Sequence, residues 1–290
     1  MTTPSGPTPI GAYAAHRGLT APGALDRPRR HRGSIVWWIV FILGAIYFLL
    51  PLYATLAFSL RARPDFAAYT NTFKDPKFIS SLLYSAVVGI LTIVGSIAII
   101  VPTAYWVRLR LPRLRPIIEF VTLLPFVIPP VILVFGLIRT YSRPPLPLSA
   151  TDQGSNVLVV AAYIVLSFPY MYRAVDSGLR AIDVRTLTEA AQSMGAGWFR
   201  ILWQVILPNL RVAILSGAFL TLAIVIGEYT IASFLNRPAF GPYLSLLGRD
   251  KAYEPAAVSL ISFGLTWLGM GAIALLGRGS RQRVQVAGAR

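Results

Sequence analysis

Residues 189–208 read EAAQSMGAGWFRILWQVILP and lie between two long hydrophobic runs. Thr186, three residues before this stretch, and Glu189, its first residue, have the spacing of a capping box, in which each side chain accepts a hydrogen bond from a free amide at a helix start. This spacing predicts a helix that begins at Leu187. Its predicted apolar face consists of Leu187, Ala190, Ala191 and Met194. Gly195 follows as the left-handed residue at which helices commonly stop.

A second amphipathic run follows Gly195. One helical face of this run would carry Trp198, Ile201, Leu202 and Val205. Pro208 has no backbone N–H, so it is expected to break or kink this second helix. The stretch as a whole therefore predicts a short, bent pair of helices.

Six apolar runs are long enough to cross about 30 Å of hydrocarbon at about 1.5 Å per residue. They cover approximately residues 36–58, 82–107, 117–138, 156–175, 211–233 and 255–277. Charged residues make up 13% of the chain, against about 25% in soluble domains. The first run follows a polar segment and has no cleavage-site pattern, so it is expected to be retained. The sequence predicts an all-α integral membrane protein with six transmembrane helices.

The positive residues predict the orientation of these helices. Of the 27 lysines and arginines, about two thirds fall on one side of the membrane if the N-terminus is cytosolic. Both termini and the loop at 176–210 are then cytosolic. Residues 1–34 are predicted to form a disordered basic tail, 35–277 the membrane domain, and 278–290 a basic C-terminal tail.

The spacing of Glu189-Ala190-Ala191, Gly195 and Leu207-Pro208 resembles the EAA loop of the membrane subunits of bacterial binding-protein-dependent ABC importers. Only Val205 departs from the family pattern, which has Ile there. The resemblance covers about residues 78–277, and Gly227–Leu235 is similar to the spermidine/putrescine branch. It implies a cytosolic coupling helix between transmembrane helices four and five. The docking residues it implies are Glu189, Ala190, Ala191, Met194, Gly195, Leu207 and Pro208. The alternative is an ordinary amphipathic helix at the membrane surface.

The resemblance also implies partners and a location. A separate cytosolic ABC ATPase would bind ATP and Mg, a second permease, identical or homologous, would complete the path, and an extracytoplasmic solute-binding protein would deliver the solute. The location implied is the bacterial plasma (inner) membrane, with several passes. The chain contains no G-x-x-x-x-G-K-[ST] motif, so it is expected to be no ATPase itself and to hold no cofactor.

Other classes of function have little support in the sequence. The net charge of +16 comes largely from arginines that flank apolar runs, which indicates topology and contact with membrane lipids rather than nucleic-acid binding. There is no cysteine, and the two histidines, His16 and His31, lie in the N-terminal tail. We therefore expect no catalytic residues and no metal site.

Prolines and acidic residues in the apolar runs mark a candidate translocation pathway. Pro125 and Pro129 interrupt the third run, Pro169 the fourth and Pro51 the first. Such interruptions are tolerated where the freed carbonyls face protein or water, although kinks also serve packing alone.

Two carboxylates lie close to the hydrocarbon and are expensive there without a partner. Glu119 either has a functional role or lies at the lipid headgroups beside Arg115. Glu228 either contributes, with Tyr229, to a pathway for a cation such as a polyamine, or makes a structural hydrogen bond to a neighbouring helix. A secondary transporter or channel without an ATPase remains the alternative for the whole chain, and a membrane-embedded enzyme is a third class.

Overall fold

The computed structural model describes residues 33–278, which are almost entirely helical and contain no strand. The α-helices of this part of the chain are α1 (Gly33–Ser59), α2 (Ala67–Lys74), α3 (Pro76–Leu109), α4 (Arg115–Val127), α5 (Pro130–Tyr141), α6 (Asp152–Arg180), α7 (Val184–Ser193), α8 (Trp198–Ile201), α9 (Leu207–Asn209), α10 (Arg211–Gly227), α11 (Thr230–Phe234), α12 (Phe240–Asp250) and α13 (Glu254–Arg278). A π-helical segment, Leu202–Ile206, joins α8 to α9. The all-α prediction is confirmed for these residues.

The predicted tails fall mostly outside the described residues. Residues 1–32 and 279–290, with His16 and His31, are not among those described, whereas 33–34 already belong to α1 and Arg278 ends α13. The chain divides into two compact units, residues 1–50 and 51–290. In the first unit, the described part is the start of α1, where Trp38 and Phe41 pack edge to face at 5.8 Å.

Three helices, α1, α3 and α6, are long and apolar enough to cross a membrane. Two further spans are possible if each bent pair of helices counts as one. These are Pro112–Val127 with α5, bent by 96°, and Trp198–Asn209 with α10, bent by 78°. By length and composition the described residues thus contain three to five spans. The predicted count of six and the cytosolic termini stay predictions.

Of the two prolines predicted to interrupt the third apolar run, Pro129 lies at a break in the helix, whereas Pro125 lies inside α4, which continues through it. Ile128 and Pro129 are extended between α4 and α5, because a residue before proline avoids the helical region and two successive prolines remove two amide donors. The other predicted interruptions are not breaks. Helix α6 continues through Pro169 and α1 through Pro51, since a lone proline removes only one hydrogen bond of a long helix.

Helices α3, α6 and α10 pack together at the centre of the second unit. Small residues allow the close approach. A Cβ on Gly217 of α10 would lie 2.8 Å from the Met171 sulfur of α6, and a Cβ on Gly89 of α3 would lie 2.7 Å from the side chain of Leu222. Ser96 and Ser167 form a buried hydrogen bond between α3 and α6. This small-residue packing is typical of helices in membranes.

Candidate coupling loop and translocation cavities

Helix α7 begins at Val184 rather than at the predicted Leu187, and residues 176–180 of the predicted loop still belong to α6. Asp183 is the N-cap residue. Its carboxylate accepts hydrogen bonds from the Thr186 hydroxyl at 2.8 Å and the Thr186 amide at 3.1 Å, and these lower the pKa of Asp183 below its ordinary value. The predicted capping box is therefore wrong, because an upstream carboxylate already occupies Thr186.

The two faces of α7 differ in burial. Val184, Thr188 and Ala191 are buried, and the Thr188 hydroxyl lies 3.1 Å from the Tyr105 hydroxyl of α3. The exposed side chains include Glu189, Ala190 and Met194, with Met194 81% exposed. Of the predicted apolar face, Ala191 is buried and Leu187 half-buried, whereas Ala190 and Met194 are exposed. The buried stripe of the helix lies along Val184, Thr188 and Ala191. An apolar methionine and an alanine remain on the outer surface beside Glu189.

Within residues 33–278, Glu189 has only a weak partner. Its carboxylate accepts a hydrogen bond from Arg185 Nε at 2.8 Å, one turn earlier on α7, and the contact raises the pKa of the Arg185 guanidinium. Both side chains are well exposed, so this pair contributes little to stability. The Glu189 carboxylate is accessible to a partner protein.

Gly195 ends α7 in the left-handed conformation that the sequence predicts, with φ of 80°. The Gly195 amide donates to the Gln192 carbonyl at 2.9 Å and the Ala196 amide to the Ala191 carbonyl at 3.0 Å. These two bonds make a Schellman motif. A Cβ at Gly195 would meet nothing within 4 Å, so backbone conformation alone favours glycine there.

The second helical segment anchors the loop in the bundle. Its buried residues are Ile201, Leu202, Ile206 and Leu210, which join one apolar cluster with Tyr105, Val175, Leu179 and Ala191. Trp198, predicted on this face, is 50% exposed and lies 5.9 Å from the ring of Trp106. Pro208 stands in α9 next to Leu207, after the π-helical segment and before the 78° bend into α10. The predicted break at Pro208 is therefore realised as a bend.

A cluster of charged residues joins the ends of three helices near this loop. Asp176 of α6 is nearly buried and accepts from Arg180 Nη2 at 2.7 Å and from Arg115 Nη2 of α4 at 3.3 Å, and Arg108 of α3 lies 4.0 Å away. Glu119 accepts from Arg115 Nε at 2.8 Å. Glu119 is therefore part of an ionic cluster. Sequence reasoning missed Asp176 as its centre, although Asp176 and Arg180 have the helical spacing of an ion pair.

The fifth predicted run, 211–233, breaks at Glu228, which is extended between α10 and α11. The Glu228 carboxylate accepts hydrogen bonds from the Tyr163 hydroxyl of α6 at 2.8 Å and from the Ile231 amide at 2.9 Å. The Ala232 amide donates to it at 3.3 Å. Gly241 packs so tightly on this break that a Cβ there would lie 2.2 Å from the Glu228 carbonyl oxygen. The side chain thus holds α11 against α6.

Two cavities are lined by residues at this break, and they separate the predicted pathway residues. The first, of about 400 Å³, is called the Glu228 cavity and includes Pro125, Tyr170 and Glu228 in its lining. The second, of about 510 Å³, is called the basic cavity. Its polar lining includes Lys77, Arg237, Arg249, Tyr229, Ser233 and Ser245. The predicted Pro129 and Pro169 line neither. The structure therefore brings Pro125 and Glu228 together and places Tyr229 in a different cavity.

Comparison with known sequences identifies the family. Residues 95–281, more than half of the chain, match the family described as binding-protein-dependent transport system inner membrane component. The chain belongs to this family. The match contains α7, the Glu228 break and the central bundle from the middle of α3 onward.

Relatives of the chain are permease subunits of ABC transporters. It is 27% identical over 219 residues to the spermidine/putrescine permease protein PotB of Haemophilus influenzae. This alignment covers 69% of this chain and 74% of that protein. It is 29% identical over 247 residues to a probable molybdenum permease of Haloferax volcanii, covering 80% and 84%. A probable sulfate permease of Chlorokybus atmophyticus is 28% identical, covering 67% and 69%. Members of this family are membrane subunits and not themselves enzymes.

Solved structures share the fold. A bacterial ABC transporter that imports alginate matches with a TM-score of 0.63 at 16% identity, over 86% of this chain and 96% of that one. The MetNI methionine transporter matches with a TM-score of 0.55 at 19% identity, over 69% and 94%. The chain therefore shares the helical fold of these transporter chains.

Proposed function

We propose that this chain is the translocation-pathway subunit of an ATP-driven importer and that a separate cytosolic ATPase docks on α7. The observation that carries the proposal is the division of α7 into a packed face and an open face. The open face presents Glu189, Ala190 and Met194, and the Gly195 turn closes it. Leu207 and Pro208 complete the family spacing at the bend into α10.

The packed face supplies a mechanical connection from this docking surface to the spans. Thr188 contacts Tyr105 of α3, and Ala191 shares an apolar cluster with Val175 of α6 and Leu210, the residue before α10. A displacement of α7 would therefore be transmitted to all three central helices, α3, α6 and α10. The ATPase shifts the balance between two arrangements of these helices only by the difference in its affinity for them.

We propose the rest of the assembly by analogy with other members of the family. ATP and Mg would be bound by the ATPase, because the sequence has no phosphate-binding loop of its own. A second permease and an extracytoplasmic solute-binding protein complete the proposed complex. One similar structure is an alginate transporter in complex with a periplasmic protein, which supports a partner of this kind. A channel or secondary transporter would leave the open face of α7 without a role.

The polyamine hypothesis needs a carboxylate that is free to bind an ammonium group. The Glu228 oxygens instead accept from Tyr163 and from two backbone amides, so the geometry favours the structural alternative for this residue. The relatives named above are assigned a polyamine, sulfate and molybdenum, which differ in charge. The geometry of Glu228 therefore does not support a polyamine, and we use the charge of the cavities as a guide to the solute.

Copurification tests the docking proposal. The full chain is tagged, expressed in its native host and purified in detergent, and copurifying proteins are identified by mass spectrometry. The wild type should retain an ATPase, and the double variant Glu189→Arg, Gly195→Asp should lose it. Arg113→Glu, which changes the charge of an exposed residue in the short connection between α3 and α4, is the matched control and should behave as wild type. Equal recovery of the ATPase by the double variant would overturn docking on α7.

A further inference from the structure

We propose that the basic cavity binds an oxyanion, so that the solute handled by this permease carries a phosphate, sulfate or similar group. The cavity holds about 510 Å³, within the range of small-molecule sites. Its walls come from the first turns of α3, from α11 and the segment after it, and from α12. Three cationic side chains, those of Lys77, Arg237 and Arg249, line these walls.

Among the described residues, no carboxylate lines the cavity, and two carboxylates near it, those of Asp152 and Asp75, already have partners. Asp152 pairs with Arg237, whose guanidinium also donates to the Asp152 and Leu235 carbonyls at 3.1 Å. Asp75 caps α3 by accepting from the Lys77 amide at 2.9 Å and also accepts from the Tyr243 hydroxyl at 3.0 Å. Among the described residues, no carboxylate lies within 4.0 Å of the Lys77 ammonium or the Arg249 guanidinium. These two cations are left for a ligand.

Hydroxyl groups complete the chemistry that an oxyanion needs. Tyr229, Ser233 and Ser245 line the same cavity as Lys77 and Arg249. Charged nitrogens and hydroxyls together offer several donors to the oxygens of an anion, and the charged donors make the strong bonds. The same lining repels a polyamine and offers a cation no acceptor of negative charge. The cavity therefore selects an anion over the cation suggested by Glu228.

The cavity lies where an imported solute would arrive. Lys77 stands at the start of α3 and Tyr105, which contacts α7, stands near its end. A helix of 34 residues is about 50 Å long, more than the hydrocarbon thickness of about 30 Å. With α7 on the cytosolic side, the basic cavity opens on the opposite side of the membrane. This step rests on the proposed function, since it takes the position of α7 from ATPase docking.

Binding to the purified full chain tests the site. The chain is reconstituted in nanodiscs of neutral phosphatidylcholine and titrated with sulfate, molybdate, phosphate, glycerol phosphate and spermidine at constant ionic strength, with heat or tryptophan fluorescence as the readout. At least one oxyanion should bind saturably and spermidine should not. Lys77→Gln and Arg249→Gln should each weaken binding about tenfold, the value of one charge-assisted hydrogen bond. Lys74→Gln removes a nearby charge that does not line the cavity and should leave the affinity unchanged.

The outcomes distinguish a solute anion from a lipid phosphate. They also distinguish failure of the oxyanion site from failure of ATPase docking. A solute site keeps its affinity in nanodiscs with phosphatidylglycerol, whereas oxyanion binding that disappears there assigns the cavity to lipid phosphate and overturns a solute site. Absence of saturable binding, tighter binding of spermidine, or an equal loss with Lys74→Gln would each overturn the oxyanion site. ATPase copurification is measured on the same variants. Retained ATPase without oxyanion binding contradicts only the cavity proposal. Loss of the ATPase from the wild type contradicts docking and the outward position of the cavity, but not oxyanion binding itself.

Discussion

Glu189 and Glu228 were both candidates for function, and the structure places them in opposite situations. Glu189 is exposed on α7 and has one exposed partner, Arg185, on its own helix. Glu228 lies at a helix break and accepts from the buried Tyr163 hydroxyl and from two amides of α11. The first carboxylate has unused acceptor capacity at the surface. The second is used to hold the fold.

The contrast teaches how to separate a binding carboxylate from a structural one. A charged group near hydrocarbon has a high free energy unless it is paired. Its presence therefore indicates that it has a role, but not whether that role is binding or structural. The partners decide. Where the donors come from the chain itself, as at Glu228, removal should cost stability. Where the surface is open, as at Glu189, removal should cost only an interaction with another protein.

The largest expected effect is on transport, and it comes from a change beside the exposed Glu189 on α7. Gly195→Asp puts a Cβ at a φ of 80° and adds a charge to the docking surface. Uptake by the complete transporter in proteoliposomes should fall to background while the protein still inserts and unfolds at the wild-type temperature. Gly195→Ala changes the backbone preference alone and should retain part of the activity, since its Cβ meets no atom within 4 Å. Normal uptake by Gly195→Asp would contradict the docking role.

The next largest effect is on stability, and it comes from Glu228, whose carboxylate is hydrogen-bonded within the chain. Glu228→Ala leaves the Tyr163 hydroxyl and the amides of α11 without an acceptor, and we expect a loss of about 2–4 kcal/mol in the free energy of unfolding. Tyr163→Phe removes only one donor and should cost about 1–2 kcal/mol. Thermal unfolding in detergent measures both. In the double variant the two losses should be less than additive, because the residues share a hydrogen bond.

Glu228→Gln keeps one acceptor oxygen and should retain most of the stability. This variant also decides the role of the charge. If uptake of a cationic solute falls while unfolding is unchanged, Glu228 acts in the pathway rather than in the fold, and the comparison between the two glutamates fails.

A smaller effect repeats the comparison within the ionic cluster. The Asp176 side chain is 12% exposed and contacts arginines of three helices, whereas the Glu119 side chain is 42% exposed. Asp176→Asn should cost about 1–3 kcal/mol because it leaves partly buried guanidinium groups without a countercharge. Glu119→Gln should cost less than about 1 kcal/mol. The two melting temperatures, measured at low and high salt, check the order, and equal losses would contradict it.

The sequence predicted those features that are encoded locally. Gly195 and the proline pair at 129 and 130 act through their own backbone preferences, so the end of α7 and the break before α5 were predicted correctly. For features set by contacts between distant residues, the sequence offered at most the kind of contact, such as a structural hydrogen bond at Glu228, and not the partner. Nothing near Glu228 in the sequence announces Tyr163, and nothing near Lys77 announces Arg249 of α12. The burial of α7 was not predicted either, because Tyr105 and the π-helical segment decide which of its residues pack.

The smallest expected effect comes from the N-cap of α7, a feature that is encoded locally in the sequence. Since hydrogen bonds lower the pKa of Asp183 in the folded chain, its contribution is complete above the ordinary value of about 4 and is lost as the pH falls through the lowered value. At neutral pH, Asp183→Ala should fray the first turn of α7, speeding amide hydrogen exchange at Leu187 and Thr188. Asp183→Asn keeps an acceptor and should exchange almost as slowly as wild type. Below the lowered pKa the wild type should approach the alanine variant, and a difference that persists there would show that Thr186, not the Asp183 carboxylate, holds the start of the helix.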